Sequence, residues 1–308
     1  MKRSIFIQII FLGIVGSIFG EDAILDKNFN KDSADDFFVK QPSGIVIVTE
    51  DEKKVLRIPA NVGHHVDSQK IAVAPGKKYQ LSLTASISGE ETVEKNERIV
   101  QMMRMNWFIH SSKYIVLFFD SSDKQIGLFS TFIATSKLYD YVNVFYAPPE
   151  AKYAVLRIEP RNKDVFISKV KFGLANEGNI INCNPDFRYG SLNYCGWFPN
   201  RGGQIHKRPD GKYVFESGYG GRGPRFPLKA KTKYRIVFQS IPQNKSPRVV
   251  LHFYDKNKKS LGDKRILTGI NGEAGVLEFI TPPEVCAANV SLFGVIVEQF
   301  KVTQLPGK

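Results

Sequence analysis

Ten basic side chains fall between Arg201 and Arg235, opposed only by Asp210 and Glu216. A cluster of one sign draws in a polyanion, and its guanidinium groups can meet carboxylates or sulfates through paired hydrogen bonds. Arg201, Arg222 and Arg225 are the candidates for that contact. Aromatic residues are interleaved with them. Tyr213 stands inside the basic run, and Tyr219 lies in Ser217-Gly-Tyr-Gly-Gly-Arg-Gly223, a loop too glycine-rich for regular structure, where a ring is exposed. Exposed rings can pack against the C–H edges of a sugar, and His206 can add a directional hydrogen bond. Trp107, beside Arg104 and Asn106, offers either a second platform of this kind or a core strand in which the nearby methionines fill gaps.

Other chemistries find less support. The glycine-rich loop lacks the Gly-Lys-Ser/Thr ending and following helix of a nucleotide cradle. No Gly-x-Ser-x-Gly elbow occurs, and of His64, His65, His110, His206 and His252 only the adjacent pair is close in sequence, with side chains that a strand would send to opposite faces. A glycosidase needs two carboxylates roughly 5–10 Å apart, and no acidic residue stands in an aromatic cleft motif. No Cys/His spacing suggests zinc, and Cys183, Cys195 and Cys286 allow either one disulfide or three buried thiols.

The whole chain of 308 residues carries 43 Lys or Arg against 30 Asp or Glu, a net charge of +13. Divided at residue 175, the excess is uneven. Residues 176–308 hold 20 basic and 10 acidic side chains, whereas residues 21–175 are almost neutral, with 21 and 20. Residues 1–20 read as a signal peptide, with Lys2-Arg3, an apolar stretch from Ile5 to Val15 and small residues up to Gly20. The mature protein is therefore expected to be secreted or periplasmic, with no integral membrane segment after cleavage. Export in turn argues against nucleic acid as the partner of the basic charge.

Alternating apolar and polar stretches, punctuated by Gly, Pro, Asn and Asp, predict an all-β protein. A set of phrases occurs twice in the same order. Ile71–Leu83, with Tyr79 at its centre, matches Phe226–Phe238 with Tyr234; Tyr114–Gly127, turning at Asp120, matches Val249–Gly262, turning at Asp255; Ala147-Pro-Pro-Glu150 matches Thr281-Pro-Pro-Glu284. Each phrase has a structural reading. Tyr79, Leu81 and Leu83, like Tyr234, Ile236 and Phe238, alternate toward a core. The Asp phrase is a strand buried on both faces that ends in a hairpin turn, and diproline belongs in a loop. The repeat predicts two β-sandwich modules, residues 21–175 and 176–308, joined near the small, polar Gly173–Gly178.

The opening of the second half resembles a known family. Asn184-Pro-Asp-Phe-Arg-Tyr-Gly190 followed by Gly196-Trp197-Phe198 is similar to the first strand of family 4/9-type carbohydrate-binding modules, which reads Asn-Gly-x-Phe-Glu-x-Gly with Gly-Trp soon after. In the first half this opening is reduced to Asn28-Phe29-Asn30. The resemblance implies a galactose-binding-like jelly roll in tandem and the binding of polysaccharide without cleavage, with Trp197 packed internally. Family members often hold a structural calcium through an Asp-Asp pair in the closing strand. Here those positions read Ser168-Lys169 and Glu298-Gln299, which leaves Glu298 as the one calcium candidate and otherwise implies no cofactor.

Together these features predict an exported, non-catalytic protein that recognises an acidic polysaccharide through Tyr213, Tyr219, Arg201, His206, Arg222, Arg225 and Trp107. A protein-binding or surface-assembly module is the alternative, and a polysaccharide lyase or glycosidase stands third.

Overall fold

The computed structural model describes residues 23–34, 37–38, 44–50, 52–60, 65–89, 112–176, 178–199, 203–218, 220–243, 247–267 and 274–306. Residues 1–20, Trp107, Arg201 and Tyr219 lie outside them. In the first half the strands are β1 (Ala23–Asn28), β2 (Val46–Glu50), β3 (Lys53–Ile58), β4 (Val66–Asp67), β5 (Ile71–Ala72), β6 (Lys78–Ile87), β7 (Lys113–Phe119), β8 (Gln125–Phe132), β9 (Tyr139–Tyr146), β10 (Tyr153–Glu159) and β11 (Val165–Leu174). They form one sheet of order β2-β3-β11-β6-β9, with β1 on β11, and a second of order β4-β10-β7-β8, with β5 on β10.

The second half contains β12 (Phe198–Pro199), β13 (Gln204–Lys207), β14 (Tyr213–Glu216), β15 (Gly221–Arg222), β16 (Phe226–Pro227), β17 (Lys233–Pro242), β18 (Arg248–Tyr254), β19 (Ser260–Leu267), β20 (Ala274–Ile280), β21 (Ala287–Phe293) and β22 (Val295–Gln304). Their order, β13-β14-β22-β17-β20 and β12-β15-β21-β18-β19 with β16 on β21, repeats that of the first half, except that β12 is added beside β15 and β1 has no counterpart among the described residues. The chain is thus all-β, two jelly-roll sandwiches in tandem. Among the described residues, no helix is long and apolar enough to cross a membrane.

The repeated phrases do the same structural work in both halves. The Tyr79 hydroxyl accepts a hydrogen bond from the Ala74 N–H at 2.6 Å, and the Tyr234 hydroxyl accepts one from Lys229 at 2.8 Å, so each ring closes the turn that feeds its own strand. Asp120 accepts from the N–H groups of Ser122 and Lys124, and Asp255 from those of Asn257 and Lys259. The residues that turn the chain back, Asp123 and Lys258, both adopt left-handed backbone, with φ of 60° and 66°. Tyr79, Leu81 and Leu83 enter one core, Tyr234, Ile236 and Phe238 the other. One expectation holds only in part. β7 is buried on both faces, but β18 buries Val249, Leu251 and Phe253 and leaves the alternate residues half-exposed or exposed.

Trp197 lies in the second core as the Gly-Trp resemblance implies. Its indole N–H donates to the Cys183 carbonyl at 3.0 Å, and its ring meets Phe187, Phe215 and Phe300. Gly223 is required beside it, because a Cβ there would stand 2.6 Å from Val290 and 3.1 Å from the indole.

The segment before β12 also covers the outer edge of β9, which would otherwise leave unpaired backbone groups. The Asn193 side chain accepts from the Val142 N–H at 2.9 Å and donates to the Asp140 carbonyl at 3.0 Å, taking the place of a neighbouring strand. Around it, Val144 packs with Cys183, Tyr189 and Cys195, and the Tyr146 hydroxyl donates to the Ile181 carbonyl. At Gly190, with φ of 98°, a Cβ would stand 2.8 Å from the Tyr139 hydroxyl.

Candidate functional site

Because Val249, Leu251 and Phe253 of β18 and Ala288, Val290 and Leu292 of β21 face the second core, the residues between them face outward. On that outer face the register sets Arg248 beside Phe293, Val250 beside Ser291, His252 beside Asn289 and Tyr254 beside Ala287. β15 adds Arg222 next to Ser291, and β19 adds Asp263 next to His252. The row from Arg248 to Tyr254 extends for about 20 Å at the usual rise per strand residue.

Among the described side chains, three arginines occupy this face. The Arg225 guanidinium lies 4.4 Å from the centre of the Tyr254 ring, and that of Arg248 lies 5.0 Å from the Phe293 ring. Stacking of this kind holds the planar group flat and leaves its N–H edges available. Arg222, Arg225 and Arg248 have no carboxylate partner among the described residues. Polar groups lie between them: His252 Nδ1 is 2.6 Å from Asp263 Oδ1, its Nε2 is 2.9 Å from Ser291 Oγ, and the Tyr254 hydroxyl donates to Asn289 Oδ1 at 3.3 Å.

The first sandwich provides a comparison at equivalent positions. Lys70, which precedes β5 as Arg225 precedes β16, lies 4.3 Å from the Tyr153 ring centre. Its charge, however, is met by Asp123 at 2.9 Å, and the Tyr153 hydroxyl together with Lys70 holds the Asp123 carboxyl below the usual carboxylate range. Lys113, the counterpart of Arg248, pairs with Glu159 at 3.1 Å, where the second sandwich has Phe293. Asp67, the counterpart of Arg222, binds Arg157 at 2.7 and 2.8 Å, where the second sandwich has Ser291. The same three positions are therefore balanced in one sandwich and cationic in the other.

The opposite sheet of the second sandwich has its charges matched. Lys233 and Arg235 both contact Glu278 at 2.6 Å, and these bonds hold its carboxyl below the usual range. Arg208 pairs with Glu298. The surroundings of Glu298 do not fit a calcium ion, since a guanidinium already meets its carboxylate. Among the described residues, no group of three or more His, Cys, Asp or Glu is placed to hold a metal.

Of the side chains singled out in the sequence, Arg222 and Arg225 stand together on the outer face just described. Tyr213 and His206 belong to the other sheet. Tyr213 packs against the second core and near Gly190, with Lys207 5.9 Å from its ring centre. His206 Nδ1 lies 3.6 Å from Glu216. Arg201, Tyr219 and Trp107 fall outside the described residues. Arg248, Tyr254, His252, Asp263, Asn289 and Ser291 were not picked out. Arg248, His252 and Tyr254 lie at alternate positions of a strand whose other residues are apolar, so the pairing with β21 is needed to show that they face outward.

No family model matches the sequence, and no curated protein matches it. Among solved structures, the fold is similar to the N-terminal CBM22-1–CBM22-2 tandem domain of Paenibacillus barcinonensis Xyn10C, at 10% identity and a TM-score of 0.35, covering 92% of this chain and 98% of that one. It is also similar to the CBM22-1–GH10 modules of Clostridium thermocellum Xyn10B complexed with xylohexaose, at 12% identity and a TM-score of 0.36, covering 51% and 29%. An allantoicase covers 92% and 90% at 11% identity and a TM-score of 0.28. At these scores the likenesses carry no argument about ligand or activity.

Proposed function

We propose that this is an exported protein that binds an acidic polysaccharide on the outer face of the β15-β21-β18-β19 sheet. Arg222, Arg225 and Arg248 meet carboxylates or sulfates along the chain of the polymer. The Asn289 amide and the Tyr254 hydroxyl meet sugar hydroxyls. One observation carries this reading. The positions of Arg225 and Arg248 hold lysines neutralised by Asp123 and Glu159 in the first sandwich, and that of Arg222 holds Asp67 paired with Arg157, whereas the three arginines have no such partners among the described residues of the second. A row of about 20 Å suits a polymer better than a single small anion. Titration of the full chain with a polyuronate, a sulfated polymer and a neutral glucan tests it. Binding to an acidic polymer that weakens as salt is added is expected, because exposed charges are screened over about 8 Å at physiological ionic strength. Equal affinity for the neutral polymer would refute it.

A protein partner is the second reading, and one observation favours it. Val276 and Ile280 on β20 are 63% and 70% exposed, whereas their counterparts Val142 and Tyr146 on β9 pack against residues 175–195. Self-association or partner capture that is abolished by Val276→Lys and Ile280→Lys would support an assembly surface.

A further inference from the structure

His252, Asp263 and Ser291 form a hydrogen-bonded line across three adjacent strands, with Nδ1 at 2.6 Å from Asp263 and Nε2 at 2.9 Å from Ser291. The chemistry of the partners fixes the protons. An ionised carboxylate only accepts, so Nδ1 carries the hydrogen. With the imidazole neutral, Nε2 then presents its lone pair and the Ser291 hydroxyl must donate to it. A nucleophile whose proton points at a base, with the base held by a carboxylate, is the arrangement used for acyl transfer.

The fold does not need this trio. At the same registers the first sandwich has Leu117 for His252, Leu128 for Asp263 and Arg157 for Ser291, and Leu117 pairs directly with Leu128. The strand opposite Ser291 also differs. Where Asp67 neutralises Arg157 in the first sandwich, Arg222 is the cross-strand neighbour of Ser291 in the second. A cation in that position is suited to the charge that develops on an oxygen during attack.

We propose that Ser291, His252, Asp263 and Arg222 form an ester-cleaving site, and that its substrate is an O-acyl group carried by the bound polysaccharide. The choice of a polysaccharide ester rests on the binding reading above. The step departs from the non-catalytic expectation of the sequence and needs no co-reactant beyond water. Ser291 Oγ attacks the ester carbonyl carbon as its proton passes to His252 Nε2. The resulting oxyanion, beside Arg222, collapses with cleavage of the C–O bond, and His252 returns the proton to the sugar oxygen that leaves. Water then attacks the acyl-serine, again giving its proton to His252, and the departing Ser291 Oγ recovers it as the carboxylic acid is released. Asp263 keeps Nδ1–H in place throughout and is a positioning residue. Ser291 is the most recessed of the three at 7% exposed, so the acyl group enters over Val250 and Arg222.

The test uses the full chain with a fluorophosphonate probe, p-nitrophenyl acetate and an O-acetylated polyuronate. The expected result is covalent labelling of Ser291, found by peptide mass, and acetate release that falls at least about 100-fold in Ser291→Ala, the range for loss of assisted proton transfer and attack. Asp263→Asn should lower turnover and change its pH profile, which a purely structural role would not do. Labelling and turnover require no variant to fold. Labelling with no binding of any acidic polymer would count against the polysaccharide reading alone. Intact polymer binding without labelling of Ser291, and with no acetate release above that of Ser291→Ala, would overturn the ester-cleaving site.

Discussion

Replacing Arg222, Arg225 and Arg248 together by Gln removes three positive charges from one face of the second sandwich. Replacing Lys233 and Arg235 removes two from the other. A hydrogen bond to a charged group contributes about 1.5–3 kcal/mol when sheltered from water. These guanidiniums are exposed, and solvent screening reduces each contact to about 1 kcal/mol. The positions lie along a row of about 20 Å and share no side-chain partner, so their effects should nearly add, to about 3 kcal/mol or about 150-fold in affinity. Lys233 and Arg235 already contact Glu278 at 2.6 Å, and a polymer on the far sheet does not reach them. Their loss should change affinity by less than about twofold once salt screens the long-range field. Calorimetric titration with polygalacturonate at moderate ionic strength reads both numbers. If the triple variant binds as tightly as the parent, or if the two variants weaken binding equally, net charge is acting and the proposed face is not the site.

Three further outcomes concern the frame that holds this face. Asn193→Ala removes two hydrogen bonds to the edge of β9 and should lower stability by about 2–3 kcal/mol in a denaturant titration, with early proteolysis near residues 180–197; an unchanged midpoint would mean that this segment does not protect the edge. Tyr79→Phe and Tyr234→Phe each remove the acceptor of one turn N–H and should each cost about 1 kcal/mol, a matched pair of effects that would fail if the two sandwiches were not built alike. Burial raises the phenols of Tyr114, Tyr139 and Tyr141 above their ordinary value and pushes Tyr194 up to about 12. Their contribution is complete below the unfolded tyrosine value of about 10 and is lost as pH rises toward the folded values, so tyrosinate absorbance should rise together with unfolding. Titration of these groups with the fold intact would contradict the packing.

The repeat was legible because each phrase carries its own local physics. Tyr79 and Tyr234 close a turn five residues behind them, and Asp120 and Asp255 cap a turn of four residues just ahead. Such contacts are short in sequence and survive divergence of everything around them. The basic surface was only half legible. Tyr213 and Arg222 are nine residues apart, yet the chain crosses from one sheet to the other between β14 and β15, so closeness in sequence did not mean a shared face. Arg248, His252 and Tyr254 were hidden for a related reason. The strand Val249–Tyr254 reads as apolar throughout apart from His252, and only the pairing with β21 reveals which half of it faces outward. The trio of His252, Asp263 and Ser291 is separated by 11 and 39 residues from the histidine, and it exists only because two strand registers bring it together.

The most direct measurement of the central claim is an arginine footprint. The protein would be treated with an arginine-specific dicarbonyl reagent with and without polygalacturonate, and modified peptides compared by mass spectrometry. Protection of Arg222, Arg225 and Arg248, with Arg235 on the opposite sheet unchanged, is the predicted result. Equal modification of those three with and without the polymer, or protection confined to Arg235, would contradict it.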